Sequence, residues 1–77
     1  MDVYFTKQAE DYLNKQVDRQ VSRIKRAVYA LPAGDVKKLR GFENGYRLRI
    51  GNIRVLFERD SNKIFVFKID NRGDVYK

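Results

Sequence analysis

The sequence predicts an α+β fold: a short N-terminal strand and a two-helix hairpin packed on a twisted antiparallel β-sheet. Three observations predict it. Apolar residues recur at helical spacing from Lys7 to Leu31, and they switch to a period of two after Gly34. Gly51-Asn52 then separates two alternating runs, as a two-residue hairpin turn does. At 77 residues the chain is a single domain, 1–77, small enough to bury only about 60% of its unfolded surface. It has no cysteine and no histidine, so it has no disulfide, no His–Cys zinc site and no histidine general base. No cofactor and no metal are expected, and the core must rest on Leu, Ile, Val, Phe and Tyr.

Taken in order, Val3–Phe5 is a short β-prone run and Thr6 a good helix N-cap. Ala9, Tyr12 and Leu13 share one face of a first helix, which Gln16 or Val17 would extend. Asp18 is expected to cap a second helix, with Val21, Ile24, Ala27, Val28 and Leu31 inward and Arg19, Arg23, Lys25 and Arg26 outward. Pro32 ends that helix, and Ala33-Gly34-Asp35 is a turn. "DVKKL" from Asp35 reads as a short strand or an extended lead-in, and "RGFENG" as a loop. Tyr46–Ile50 and Ile53–Arg59 are the hairpin strands. Lys63–Ile69, the most apolar run, is expected at the centre of the sheet. Asp70–Gly73 forms a turn and Val75-Tyr76 a last extended piece.

The two-residue turn fixes the register of the hairpin. If Ile50 pairs with Ile53, Arg49 faces Arg54 and Arg47 faces Leu56. Alternation then puts Tyr46, Leu48, Ile50, Ile53, Val55 and Phe57 against the helices, and Arg47, Arg49 and Arg54 together on the opposite face. Directly opposed side chains start about 5 Å apart. Like charges at that spacing cost stability, so the cluster points to a bound anion, one phosphate or two. The loop before Lys63–Ile69 could close with two or three residues; the three-residue loop is preferred, because it would bury Phe65, Phe67 and Ile69 and add Lys68 to the arginine face. Arg72 and Tyr76 follow at its edge. Tyr76 is open to two readings, an edge aromatic or a ring that stacks on a nucleobase.

Charge points the same way. Residues 1–35 hold six Lys/Arg and five Asp/Glu (6 − 5 = +1), whereas residues 36–77 hold eleven and five (11 − 5 = +6). A basic half suits a polyanionic partner such as nucleic acid or an acidic protein. Lys37, Lys38 and Arg40 read first as solvated surface charge and second, with Lys68, as candidate RNA-binding cations. The opening "MDVYFTKQAED" has neither the basic start nor the apolar segment of a signal peptide, and no run approaches a membrane span. A cytoplasmic protein with no membrane partner is expected.

These motifs also carry a family likeness. "GDVKKLRG", "YRLRIGNIRVLFE" and "IDNRGDVYK", with the "FTKQAEDYL" opening, together resemble the RelE branch of the RelE/ParE toxins of bacterial type II toxin–antitoxin systems, over nearly the whole chain. The resemblance implies the fold of small microbial RNases, cleavage of mRNA in the ribosomal A site, and a cognate antitoxin as partner. It implies a catalytic set of Arg47, Arg49, Arg54, Arg72 and Tyr76. Two departures stand out: the first-strand pair is Arg/Arg where some members have lysine, and Asn71 stands where many have histidine. Glu58 and Lys68 are alternatives for proton transfer, with a salt bridge the plainer role for Glu58. A ParE-like gyrase inhibitor and a non-catalytic RNA-binding module are the competing readings.

Overall fold

The computed structural model describes residues 1–71. The order is β1 (Asp2–Phe5), α1 (Lys7–Asn14), α2 (Asp18–Tyr29), β2 (Asp35–Lys38), β3 (Gly45–Ile50), β4 (Ile53–Asp60) and β5 (Lys63–Asn71). The extended piece expected at Val75-Tyr76 lies outside the described residues. The strands form one sheet in the order β1-β5-β4-β3-β2. Both helices cover one face of it, α1 over β5 and β1, α2 over β3. Ala9 and Leu13 of α1 and Ile24 and Val28 of α2 meet Leu48, Ile53, Val55, Phe57, Ile64, Val66 and Ile69 in the core.

The expected α+β architecture is present, with several differences. The pairings from β2 to β5 are antiparallel, but β1 runs parallel to β5. The two helices carry the chain back across the sheet, so its first strand reaches the far edge beside its last. β4, not β5, is the central strand. Thr6 caps α1 as expected, accepting from Ala9 N, whereas α2 is capped by Val17 without a side-chain bond and Asp18 is its first helical residue. There the Asp18 carboxylate complements the positive end of the helix. Finally, α2 stops at Tyr29, one turn before Pro32.

The β3–β4 register is the expected one, from Ile50↔Ile53 to Gly45↔Glu58. Gly51 takes φ +58 in the turn, a conformation that suits glycine. A Cβ there would also lie 2.7 Å from Nη2 of Arg23, which α2 lays over the hairpin tip.

β5 departs from expectation. Its loop has two residues, Ser61 and Asn62, with Asp60 paired to Lys63. That register buries Ile64 and Val66 and turns Phe65 outward. A bulge then intervenes: Phe57 pairs with Val66 and Leu56 with Lys68, leaving Phe67 as the extra residue. The extra residue resets the alternation, so Ile69 is buried and Lys68 faces outward, as expected, while Phe65 and Phe67 do not enter the core. Side chains at the start of α1 meet the backbone there. Thr6 Oγ1 donates to Phe67 O (3.1 Å), and Gln8 Oε1 accepts from Ile69 N (3.2 Å).

Candidate functional site

The face of the sheet opposite the helices carries side chains in rows set by register. One row runs Asp70, Arg54, Arg49, Asp35 across β5, β4, β3 and β2. The next runs Lys68, Leu56, Arg47, Lys37. Successive rows on one face lie about 7 Å apart along the strands. Arg47, Arg49 and Arg54 are therefore brought together on this face, joined by Lys37 and Lys68. Lys38 pairs with Tyr46, on the opposite face, and Arg40 lies in the loop after β2. Arg72 and Tyr76 lie outside the described residues.

The three arginines have different surroundings. Arg54 is clamped by Asp70: Nε donates to Oδ1 at 3.1 Å and Nη2 to Oδ2 at 2.8 Å. Such a two-pronged pair fixes the guanidinium plane as well as its position. Arg47 is 9% exposed, and its Nη2 reaches Asp35 Oδ1 only at 3.7 Å. Nη1 of Arg47 and Nε of Arg49 are buried without a hydrogen-bond partner among the described residues. Buried donors are nearly always paired, and these two belong to permanently charged groups. Both are donors of the kind that anionic oxygens accept from.

Sequence reasoning placed Asp35 and Asp70 in turns and missed that they close the two ends of the arginine row. The hairpin register alone does not place them, because Asp35 enters through the β2–β3 pairing and Asp70 through a β4–β5 pairing shifted by the bulge. Glu58 lies on the arginine face, opposite Gly45 and Phe65, one row beyond Arg47. Lys68 lies in the row of Arg47. Among the described residues there is no group of three or more metal-ligating side chains, and no helix is long and apolar enough to cross a membrane.

No family model matches the chain. A stretch of 42 residues, 54% of the chain, is 36% identical to Toxin RelE3 of Methanocaldococcus jannaschii, and the match spans about half of that protein, 48% of its length. Solved structures resemble the chain over nearly all of it. A chain of the RelB–RelE antitoxin–toxin complex from Methanococcus jannaschii superposes with a TM-score of 0.76 at 25% identity, covering 95% of this chain and 94% of that one. The archaeal RelE–RelB complex from Pyrococcus horikoshii gives 0.74 at 25% identity, with 94% of each chain covered. Shared sequence in one stretch and a shared fold from end to end agree: the chain is similar to RelE toxins in both.

Proposed function

We propose that this chain is the toxin of a toxin–antitoxin pair and acts as a ribosome-dependent mRNA endonuclease in the cytoplasm. The observation that supports this best is the pair of buried, unpartnered donors, Arg47 Nη1 and Arg49 Nε, beside the clamped Arg54. Fixed guanidinium groups suit the anionic phosphorane of RNA cleavage, where charge builds on the non-bridging oxygens.

In the internal route the ribose 2′-oxygen bonds to phosphorus and the bond to the 5′-oxygen breaks. The 2′-hydroxyl loses its proton and the leaving oxygen gains one, giving a 2′,3′-cyclic phosphate and a 5′-hydroxyl. Arg49 and Arg54 hold the phosphate; Arg47 holds a neighbouring phosphate or orients the 2′-hydroxyl. Arg72 adds a further cation and Tyr76 positions the nucleotide. Arginine does not take up the 2′-hydroxyl proton, so strict orientation of the RNA, supplied in part by the ribosome, carries much of the rate. The relatives in complexes with antitoxins support an antitoxin partner here too, an acidic segment whose carboxylates offset the repulsion among the arginines.

Primer extension on mRNA translated in vitro tests this, with wild type beside the Arg72→Ala/Tyr76→Ala double variant. Discrete cuts within A-site codons that vanish in the variant are expected. Folded protein that produces no cuts with ribosomes present would overturn the endonuclease reading and direct the next assay to gyrase inhibition.

A further inference from the structure

The arginine face carries a second strip of side chains that the cleavage chemistry does not use. In the row beyond Arg47, Tyr4 of β1 lies beside Phe65 of β5, followed by Glu58 and Gly45. The Tyr4 and Phe65 rings stack at 5.3 Å between centroids and 18° between planes. At the other end Phe42 folds over Gly45, so closely that a Cβ on Gly45 would lie 2.5 Å from the Cβ of Phe42. Phe67, pushed out by the bulge, stacks on Phe42 at 6.0 Å and 29°. Tyr4, Phe42 and Phe65 remain 46%, 50% and 37% exposed. Two stacked aromatic pairs open to solvent on one side of a small sheet are costly for solubility, and such patches mark contact surfaces.

We propose that this aromatic row is a base-stacking shelf for single-stranded RNA whose backbone runs along the adjacent row of Lys68, Arg47 and Lys37. The proposal rests on the RNA reading of the arginine face and extends it to the nucleotides flanking the scissile bond. A nucleotide presents a charged backbone and a flat base side by side. This face presents cations and flat rings in neighbouring rows, about 7 Å apart. The charge complementarity favours RNA over an apolar protein segment, because the strip borders cations along its length and Glu58 divides it. One apolar hollow lies on the helix side, lined by Met1, Leu31, Pro32 and Val36, and a second, open one at the Phe42 end of the strip is bordered by Lys38 and Arg40. Stacking on aromatic rings accepts any base, so the shelf holds the strand without selecting a codon.

The test is fluorescence anisotropy with a labelled eight-nucleotide single-stranded RNA and an abasic oligomer of the same length. The proteins are wild type, Phe65→Leu, Tyr4→Leu and the double variant, each checked for an unchanged circular dichroism melt. Leucine keeps apolar volume and removes the flat ring, which separates stacking from packing. Wild type is expected to prefer the ordinary RNA by about 5- to 150-fold, the equivalent of 1–3 kcal/mol for one stacked base. The double variant should lose that preference and keep its affinity for the abasic oligomer. A wild type that binds both oligomers alike, or neither, overturns the shelf, as does a preference that survives in the double variant. So does a double variant that loses only antitoxin affinity, because the strip is then a protein-binding surface. Ribosomal cleavage is scored separately. A missing base preference with intact A-site cuts removes the shelf alone, and a base preference without cuts removes the endonuclease reading alone.

Discussion

Replacing Arg47 with methionine should make the protein more stable and a poorer anion binder. Arg47 is 9% exposed, and its buried Nη1 has no partner among the described residues. An unsatisfied buried donor costs about 1–3 kcal/mol. The ion pair that methionine removes is weak, since Asp35 lies 3.7 Å away with 53% of its side chain exposed, and such pairs contribute only about 0–1 kcal/mol. Lys37 lies directly opposite, and relieving that like-charge pair gains a few tenths of a kcal/mol, up to about 1. Methionine retains the flexible apolar stem. The balance is a gain of about 1–2 kcal/mol, which for a domain of this size raises Tm by about 5–15 °C. A thermal melt followed by circular dichroism measures it, with a urea midpoint that rises at constant slope as the check. RNA affinity should fall in the same variant. A Tm lowered by more than about 2 °C would refute the reasoning, because it would mean that the buried guanidinium supports the fold.

Two further predictions concern the Arg54–Asp70 clamp and the β4–β5 turn. A double-mutant cycle on Arg54→Ala and Asp70→Ala should give a coupling of about 1–2 kcal/mol in urea unfolding, because both partners of the clamp are less than a third exposed and the bonds are charge-assisted; additive losses would show that the clamp contributes nothing. Ser61 holds φ +53 in the β4–β5 turn, a conformation that costs a side-chain-bearing residue about 1–2 kcal/mol. Ser61→Gly should therefore raise stability by about 0.5–1 kcal/mol after the added chain entropy of glycine, and a lowered Tm would contradict the strain assigned to that turn.

Several parts of the fold were legible because they are local. The Thr6 cap depends on residues three apart. The β3–β4 register follows from a two-residue turn and alternation, and it was enough to place Arg47, Arg49 and Arg54 on one face. The family likeness rests on the same hairpin and on the "NRGDVYK" ending, and the fold comparisons agree with it. Asp35 and Asp70 were less legible, because each enters the arginine row through a neighbouring strand that the hairpin alone does not specify.

The sequence by itself determined the class of the fold, the hairpin and the concentration of basic charge on it, since period and turn chemistry act over a few residues. Tertiary structure decided the rest of the face. The parallel β1–β5 pairing joins the two ends of the described chain. Thr6 and Gln8 meet the backbone of a strand 61 residues away, at the bulge where Phe67 is extruded. A period-two reading of "KIFVFKI" assumes unbroken alternation, and one extra residue reverses it. The two-residue turn directs Phe65 to the arginine face, and the bulge keeps Phe67 out of the core while Ile64, Val66 and Ile69 fill it. The sheet accepts that interruption because the cost of a broken ladder is offset by bonds that exist only once α1 has packed on β5.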